Sequence, residues 1–188
     1  MDLEWQNAAG LPSKVYRCGH CGTEIGSQFG YATRVGVIHY IYICHVCERP
    51  TYFDGADKKQ VPGVPFGVEV EFVPPESAAI YCEARNCMTV SAYTAVVLLC
   101  RKLLMHIAVE EGAAPGESFV SYVDHLVQIG GVAPRARAWV DRIRQKGNTA
   151  NHQIVATPRE DAAELITLCE MVLKLMYELP GRVAPPAT

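Results

Sequence analysis

Apolar positions in the first third of the chain recur every second residue. Val35, Val37, Ile41 and Ile43 are interleaved with Gly36, Ile38, Tyr40 and Tyr42, and Thr51-Tyr52-Phe53 follows shortly after. A period of two is the mark of a strand, so this region predicts a small sheet. Residues 54–65 then turn polar and rich in Gly and Pro, including Val61-Pro62-Gly63-Val64-Pro65, and mark a boundary. Beyond them Val68, Val70 and Phe72 alternate with Glu69 and Glu71, which predicts one more short strand, ended by Pro74-Pro75.

From Glu76 onward the spacing becomes helical. Five helices are expected, over Glu76–Met88, Ser91–Glu111, Glu117–Ile129, Pro134–Lys146 and Pro158–Leu179. The last opens on Thr157-Pro158-Arg159-Glu160, which reads as a capping box with proline in the first turn. Leu165, Ile166, Leu168, Cys169, Val172, Leu173, Leu175 and Met176 cover much of its circumference, and Val96, Val97, Leu99, Cys100, Leu103, Leu104 and Ile107 do the same for the second helix. Helices apolar on several sides must be central, so an antiparallel bundle with a sizeable core is expected. The fold class is α+β, with a small sheet over residues 1–73, a helical bundle over 74–180 and a disordered tail over 181–188.

Composition narrows the class without changing the fold. The chain has 188 residues, 49% of them hydrophobic, and a net charge of −3, which describes a globular protein and argues against indiscriminate nucleic-acid binding. The start, Met1-Asp2-Leu3-Glu4-Trp5, lacks an apolar run, and the longest one, Ala95 to Cys100, is stopped by Arg101-Lys102. No signal peptide and no membrane span are expected, and a cytoplasmic location follows. In that compartment eight cysteines read as including a metal site, not a disulfide framework.

Four of the cysteines carry the clearest chemistry. Cys18-Gly19-His20-Cys21 and Cys44-His45-Val46-Cys47 are two Cys-x2-Cys pairs with 22 residues between Cys21 and Cys44. Four thiolates suit tetrahedral Zn2+, each short pair makes a tight turn, and Gly22 tolerates positive φ. With a strand on each side of a knuckle, the region reads as a zinc ribbon whose metal is structural, because four cysteines leave no open coordination position. Structural zinc supplies on the order of 10 kcal/mol of folding energy to so small a sheet. His20 and His45 lie within the turns and read as solvated spacers, although either could replace a cysteine. His39 reads as a hydrogen-bonded, partly buried residue. Cys82, Cys87, Cys100 and Cys169 lack ligand spacing and read as small buried apolar residues.

A second candidate site spans residues 134–152. Ala136, Trp139, Val140, Ile143 and Gly147 form an inward stripe at helical spacing, flanked by Arg137 and Arg144 on one side and by Arg135, Arg142 and Lys146 on the other. Five cations face one acid, Asp141, in a chain that is acidic overall. The run Arg144-Gln145-Lys146-Gly147-Asn148-Thr149-Ala150-Asn151-His152 could hold a phosphate and move a proton near neutral pH. The same run also reads as a helix end, with Gly-Asn past the terminus and Lys146 on the negative end of the dipole, and the cations also read as a solvated face.

Three motifs, Tyr81-Cys82-Glu83-Ala84, Arg101-Lys102-Leu103-Leu104 and Gly147-Asn148 followed by His152, give residues 76–179 a family resemblance. This part resembles a bacterial family of uncharacterised HEPN-like domains, often found beside a zinc ribbon or attached to restriction-enzyme subunits. The resemblance implies an Arg-x4–6-His motif and, in many active members, a metal-independent ribonuclease whose Arg and His meet at a dimer interface. A ribose 2′-hydroxyl would attack the adjacent phosphate, leaving a 2′,3′-cyclic phosphate. His152 would then act as general acid or base, Arg144 would stabilise the phosphorane charge, and Asn148 would position the phosphate or orient His152. Seven residues separate Arg144 from His152, longer than that motif, while Lys146 fits its gap, and Met105 stands where the family often has Glu.

Three functions stay open on these readings. The first is a non-catalytic module binding RNA, another nucleic acid or a protein partner, in a phage-defence or mobile-element setting that only the resemblance implies. The second is a ribonuclease using Arg144 and His152. The third is a structural docking protein with the helices as a homodimerisation core, in which Glu83 and Arg101 pair to fix register.

Overall fold

A computed structural model describes residues 5–133 and 157–183, together with Ala136 and Trp139. The chain divides into two compact units, Met1–Phe66 and Gly67–Thr188.

The first unit is an antiparallel meander of five strands, β1 (Ala9–Arg17), β2 (Glu24–Ala32), β3 (Tyr40–Ile43), β4 (Pro50–Phe53) and β5 (Gln60–Val61), in the order β1-β2-β3-β4-β5. Its register sets Tyr16 against Ile25, Tyr42 against Gly30 and Thr51, and Tyr40 against Phe53. One face thereby collects Tyr16, Ile25, Tyr42 and Phe53 into a small core, with the Tyr16 and Phe53 rings edge to face at 5.0 Å. Gly30 is required by close approach, since a Cβ there would collide with the Ile41 carbonyl.

The strand expected over residues 35–43 begins only at Tyr40. Residues 34–37 are a bend instead, with Gly36 at φ 74° and Val35 88% exposed. Thr33 closes this loop, its hydroxyl donating to the Val37 carbonyl and accepting from the His39 amide. The alternation that suggested a strand therefore crosses a turn. The strand expected over 68–72 is also absent. Gly67 and Phe72 sit at φ 68° and 60°, which no strand tolerates, and the segment's amides go to helical carboxylates: Val68 N to Glu170 Oε2 (3.1 Å) and Glu71 N to Glu178 Oε2 (3.3 Å).

The second unit holds α1 (Pro75–Thr89), α2 (Tyr93–Glu110), α3 (Phe119–Gln128), α4 (Arg159–Leu173), a π turn over Lys174–Glu178 and α5 (Leu179–Val183). α2 lies against α1, α3 and α4 and buries Val96, Cys100, Leu103, Leu104, Ile107 and Ala108. α4 answers with Leu165, Ile166, Leu168, Cys169, Val172 and Leu173, so the two helices that looked central in the sequence form most of the core. Ser118 caps α3, its hydroxyl accepting from the Ser121 amide at 3.1 Å.

The capping box expected at Thr157 does not form. Pro158 is the N-cap residue and no side chain caps it, while the Thr157 hydroxyl bonds that of Thr94 at 3.3 Å. Glu160 and Asp161 in the first turn offset the helix dipole instead. The π turn precedes Pro180, which has no amide to give the Met176 carbonyl and whose ring crowds it, so the backbone widens there. The chain stays helical through Val183, into the stretch expected as a tail. Cys100 and Cys169 are buried as expected, but Cys82 is exposed and Cys87 half-buried.

Candidate metal centre

Both Cys-x2-Cys pairs sit in hairpin turns. Cys18 and Cys21 lie between β1 and β2, Cys44 and Cys47 between β3 and β4, and in a meander those two turns share one end of the sheet. The turns repeat one hydrogen-bond pattern. Cys18 N donates to Thr23 O (2.9 Å) and Gly22 N to Cys18 O (3.0 Å); Cys44 N donates to Arg49 O (3.1 Å) and Glu48 N to Cys44 O (2.8 Å). The residue after each second cysteine is left-handed, Gly22 at φ 71° and Glu48 at φ 58°. In the first turn the His20 amide also points at Cys18 Sγ, 3.4 Å away.

The four sulfurs lie within 4.8 Å of one another, with Cys18–Cys47 at 3.7 Å and Cys21–Cys44 at 3.8 Å. These separations are far beyond the roughly 2.05 Å of a disulfide. They match the edge of a tetrahedron whose centre lies about 2.3 Å from each sulfur, which is the geometry of a four-thiolate metal site. Cys18 and Cys44 are fully buried, Cys47 is half-buried and Cys21 reaches the surface.

The electrostatics call for a cation. Burial pushes the Cys47 thiol up to about 12 and raises Cys44 as well. At Cys21 burial acts in the same direction, but hydrogen bonds from the Thr23 hydroxyl and amide outweigh it and bring the thiol down to about 7. Four thiols this close cannot all ionise unaided, and a divalent ion between them removes the conflict. Among the described residues no other group of three or more His, Cys, Asp or Glu could hold a metal.

The histidines near the cysteines have other partners. His20 is exposed, with Nε2 3.0 Å from the Pro50 carbonyl, and His45 is exposed. His39, partly buried and hydrogen-bonded as expected, has Nδ1 2.8 Å from the Tyr52 hydroxyl and accepts from the Gly55 amide at 3.2 Å.

In the second unit, the expected pair between Glu83 and Arg101 is not made. Glu83 is exposed, and the Arg101 guanidinium lies over the Phe119 ring at 4.2 Å, a contact that spacing within α1 and α2 could not reveal. Arg135, Arg137, Arg142, Arg144, Lys146, Asn148 and His152 lie outside the described residues. Sequence reading also missed a polar cluster under the 67–73 segment. The Tyr81 hydroxyl lies 3.2 Å from Val68 O and 3.3 Å from Glu170 Oε2, and Lys174 Nζ is 2.6 Å from Glu170 Oε1. Only the Glu170–Lys174 step is local enough to read from spacing.

The class defined by this architecture is an α+β protein with a four-cysteine centre at the turns of an antiparallel sheet, followed by a helical unit. Residues 82–185 match the model of a family described as a domain of unknown function (DUF4145), and the chain belongs to that family. No curated protein and no solved structure matches it.

Proposed function

We propose that the protein is a recognition module, a zinc ribbon joined to a HEPN-like helical bundle that pairs as a homodimer and binds nucleic acid, RNA first, in the cytoplasm. The observation that carries this reading is the closed four-sulfur centre. All four positions around a tetrahedral ion are taken by cysteines, so the metal has no place for water or substrate and serves to hold a surface in shape. Zinc fits best, because it accepts tetrahedral thiolate ligation and brings no redox chemistry. Arg135, Arg137, Arg142, Arg144 and Lys146 would supply phosphate contacts, and the family resemblance suggests phage defence or a mobile element as the setting.

The alternative is a metal-independent ribonuclease with His152 as general acid or base, Arg144 on the phosphorane and Asn148 as positioner. Docking of a protein partner is the third reading. One set of measurements separates them. Purified protein is titrated with single-stranded RNA at two salt concentrations and incubated with an RNA pool with and without EDTA. Binding that weakens by about a decade per doubling of salt, without cleavage, supports the recognition module. Cleavage that survives EDTA and is lost in both His152→Ala and Arg144→Ala would establish the nuclease instead. Absence of any RNA binding leaves protein docking.

A further inference from the structure

Tyr31, Ile41 and Tyr52 stand in register on β2, β3 and β4, Tyr31 opposite Ile41 and Ile41 opposite Tyr52. Alternation puts them on the face away from Tyr40, Tyr42 and Phe53, so this row is not part of the sheet's core. Above it lies a cleft of about 170 Å³ lined by Tyr31, Ala32, Thr33, His39, Ile41 and Tyr52. Strands two apart are separated by about 9.5 Å, so the tyrosines flank a slot over Ile41, with Tyr31 held by its hydroxyl's bond to the Gln6 carbonyl and by an edge contact with Trp5 at 6.3 Å.

His39 gives the slot a fixed polarity. Its ring is parallel to that of Tyr52, 9° between planes and 5.9 Å between centroids. The Gly55 amide can only donate, and it points at Nδ1 from 3.2 Å, so in the neutral ring Nδ1 is the acceptor and Nε2 carries the proton. That N–H has no partner among the described residues. The Tyr52 hydroxyl lies 2.8 Å from His39 Nδ1 and 3.1 Å from Asp54 Oδ2, with its single proton shared between these two acceptors, and Asp54 Oδ2 is itself 3.6 Å from Nδ1. Asp54 is itself engaged by the amides of Ala56 (2.7 Å) and Asp57 (3.3 Å). Arg34, next to Thr33 at the rim, is exposed and makes no ion pair among the described residues.

We propose that this slot takes one unpaired nucleobase of a single-stranded nucleic acid. The base would stack against the tyrosine and histidine rings over Ile41, with an edge carbonyl or ring nitrogen accepting from His39 Nε2–H and the flanking phosphate near Arg34. A flat ring with an acceptor edge and an attached anion meets all three features. A Phe or Trp side chain of a protein partner offers neither acceptor nor anion, and a base inside a duplex is already stacked and cannot enter. The inference rests on the nucleic-acid reading above but concerns a different surface from residues 135–146.

The test uses full-length, metal-loaded protein and a labelled eight-residue oligouridine, followed by fluorescence anisotropy. Tyr31→Ala and Tyr52→Ala should each raise Kd by about fivefold to about a hundredfold, the range of base–aromatic stacking. Val15→Ala on the exposed edge of β1 should change nothing, and a duplex of the same length should not compete. If the oligonucleotide binds and both tyrosine variants bind equally well, the slot is wrong while the nucleic-acid reading stands on the cations of residues 135–146. If no oligonucleotide binds, both readings fall. Wild-type NMR covers the case in which a variant does not fold: oligouridine should shift the Tyr31 and Tyr52 ring protons, and unshifted rings in a saturated complex overturn the proposal.

Discussion

At the residue scale, the metal centre is where sequence and geometry speak most directly. Each pair of cysteines is local, so its spacing alone fixes a turn, and only the docking of two turns had to come from the sheet. Cys44 is fully buried between sulfurs. Cys44→Ser is therefore expected to lose stoichiometric zinc and, with it, the ordered structure of the first unit, whereas Cys82→Ser, at an exposed site on α1, should keep both. Metal release to a colorimetric chelator and near-ultraviolet circular dichroism check this. Gly22 allows a finer test. A Cβ there meets nothing within 4 Å, so Gly22→Ala isolates the conformational term at φ 71°. It should retain metal and lower stability by about 1–2 kcal/mol in urea unfolding, because Glu48 shows that the equivalent turn holds a side chain at φ 58°. His39 was legible as a hydrogen-bonded residue but its partners were not. Gly55 and Tyr52 reach it only through the β3–β4 register.

At the element scale, period decided what could be read. The apolar faces of α2 and α4 are wide enough to announce helices whatever packs on them. β1 and β2 gave no such signal. β1 is an edge strand, mostly exposed, with Pro12 inside it and an irregular register between Gly10 and Lys14, while β2 carries Gly26 and Gly30 among its apolar residues. Alternation across 68–72 misled for the opposite reason: Val and Glu repeat as in a strand, yet the backbone is bound by carboxylates of α4 and the π turn. That binding predicts the energetics. Tyr81 is 4% exposed, and Tyr81→Phe removes one hydroxyl from between the Val68 carbonyl and Glu170, for an expected loss of about 1 kcal/mol. Glu170→Ala should lose more, about 1–2 kcal/mol, because it removes the charged acceptor shared by the buried Tyr81 hydroxyl and the Val68 amide. Urea unfolding followed at 222 nm, with metal held saturating, measures both. Equal losses in the two variants would mean that Tyr81, and not the carboxylate, anchors the segment.

At the scale of the whole molecule, the two units owe their stability to different physics. The second unit buries long aliphatic rows from α2, α3 and α4, and such a core, at roughly 25 cal/mol per Å² of apolar surface, holds without a metal. The first unit has one small aromatic cluster on one face of its sheet, and two of its buried members are the candidate ligands Cys18 and Cys44. On the zinc-ribbon reading, a unit with so little core depends on metal for folding. Treating the intact protein with a strong chelator should therefore separate the two. Helical ellipticity should persist, while the near-ultraviolet signal falls, since five of the nine tyrosines, Tyr16, Tyr31, Tyr40, Tyr42 and Tyr52, lie in the first unit. Trp5, whose indole donates to the Glu48 carbonyl at 2.7 Å beside the second cysteine turn, should shift its emission to the red in the same step. Adding zinc back should restore both signals at one equivalent. Loss of helical ellipticity in parallel with the aromatic signal would show that the helices depend on the metal as well, and the division into two independently stabilised units would have to be abandoned.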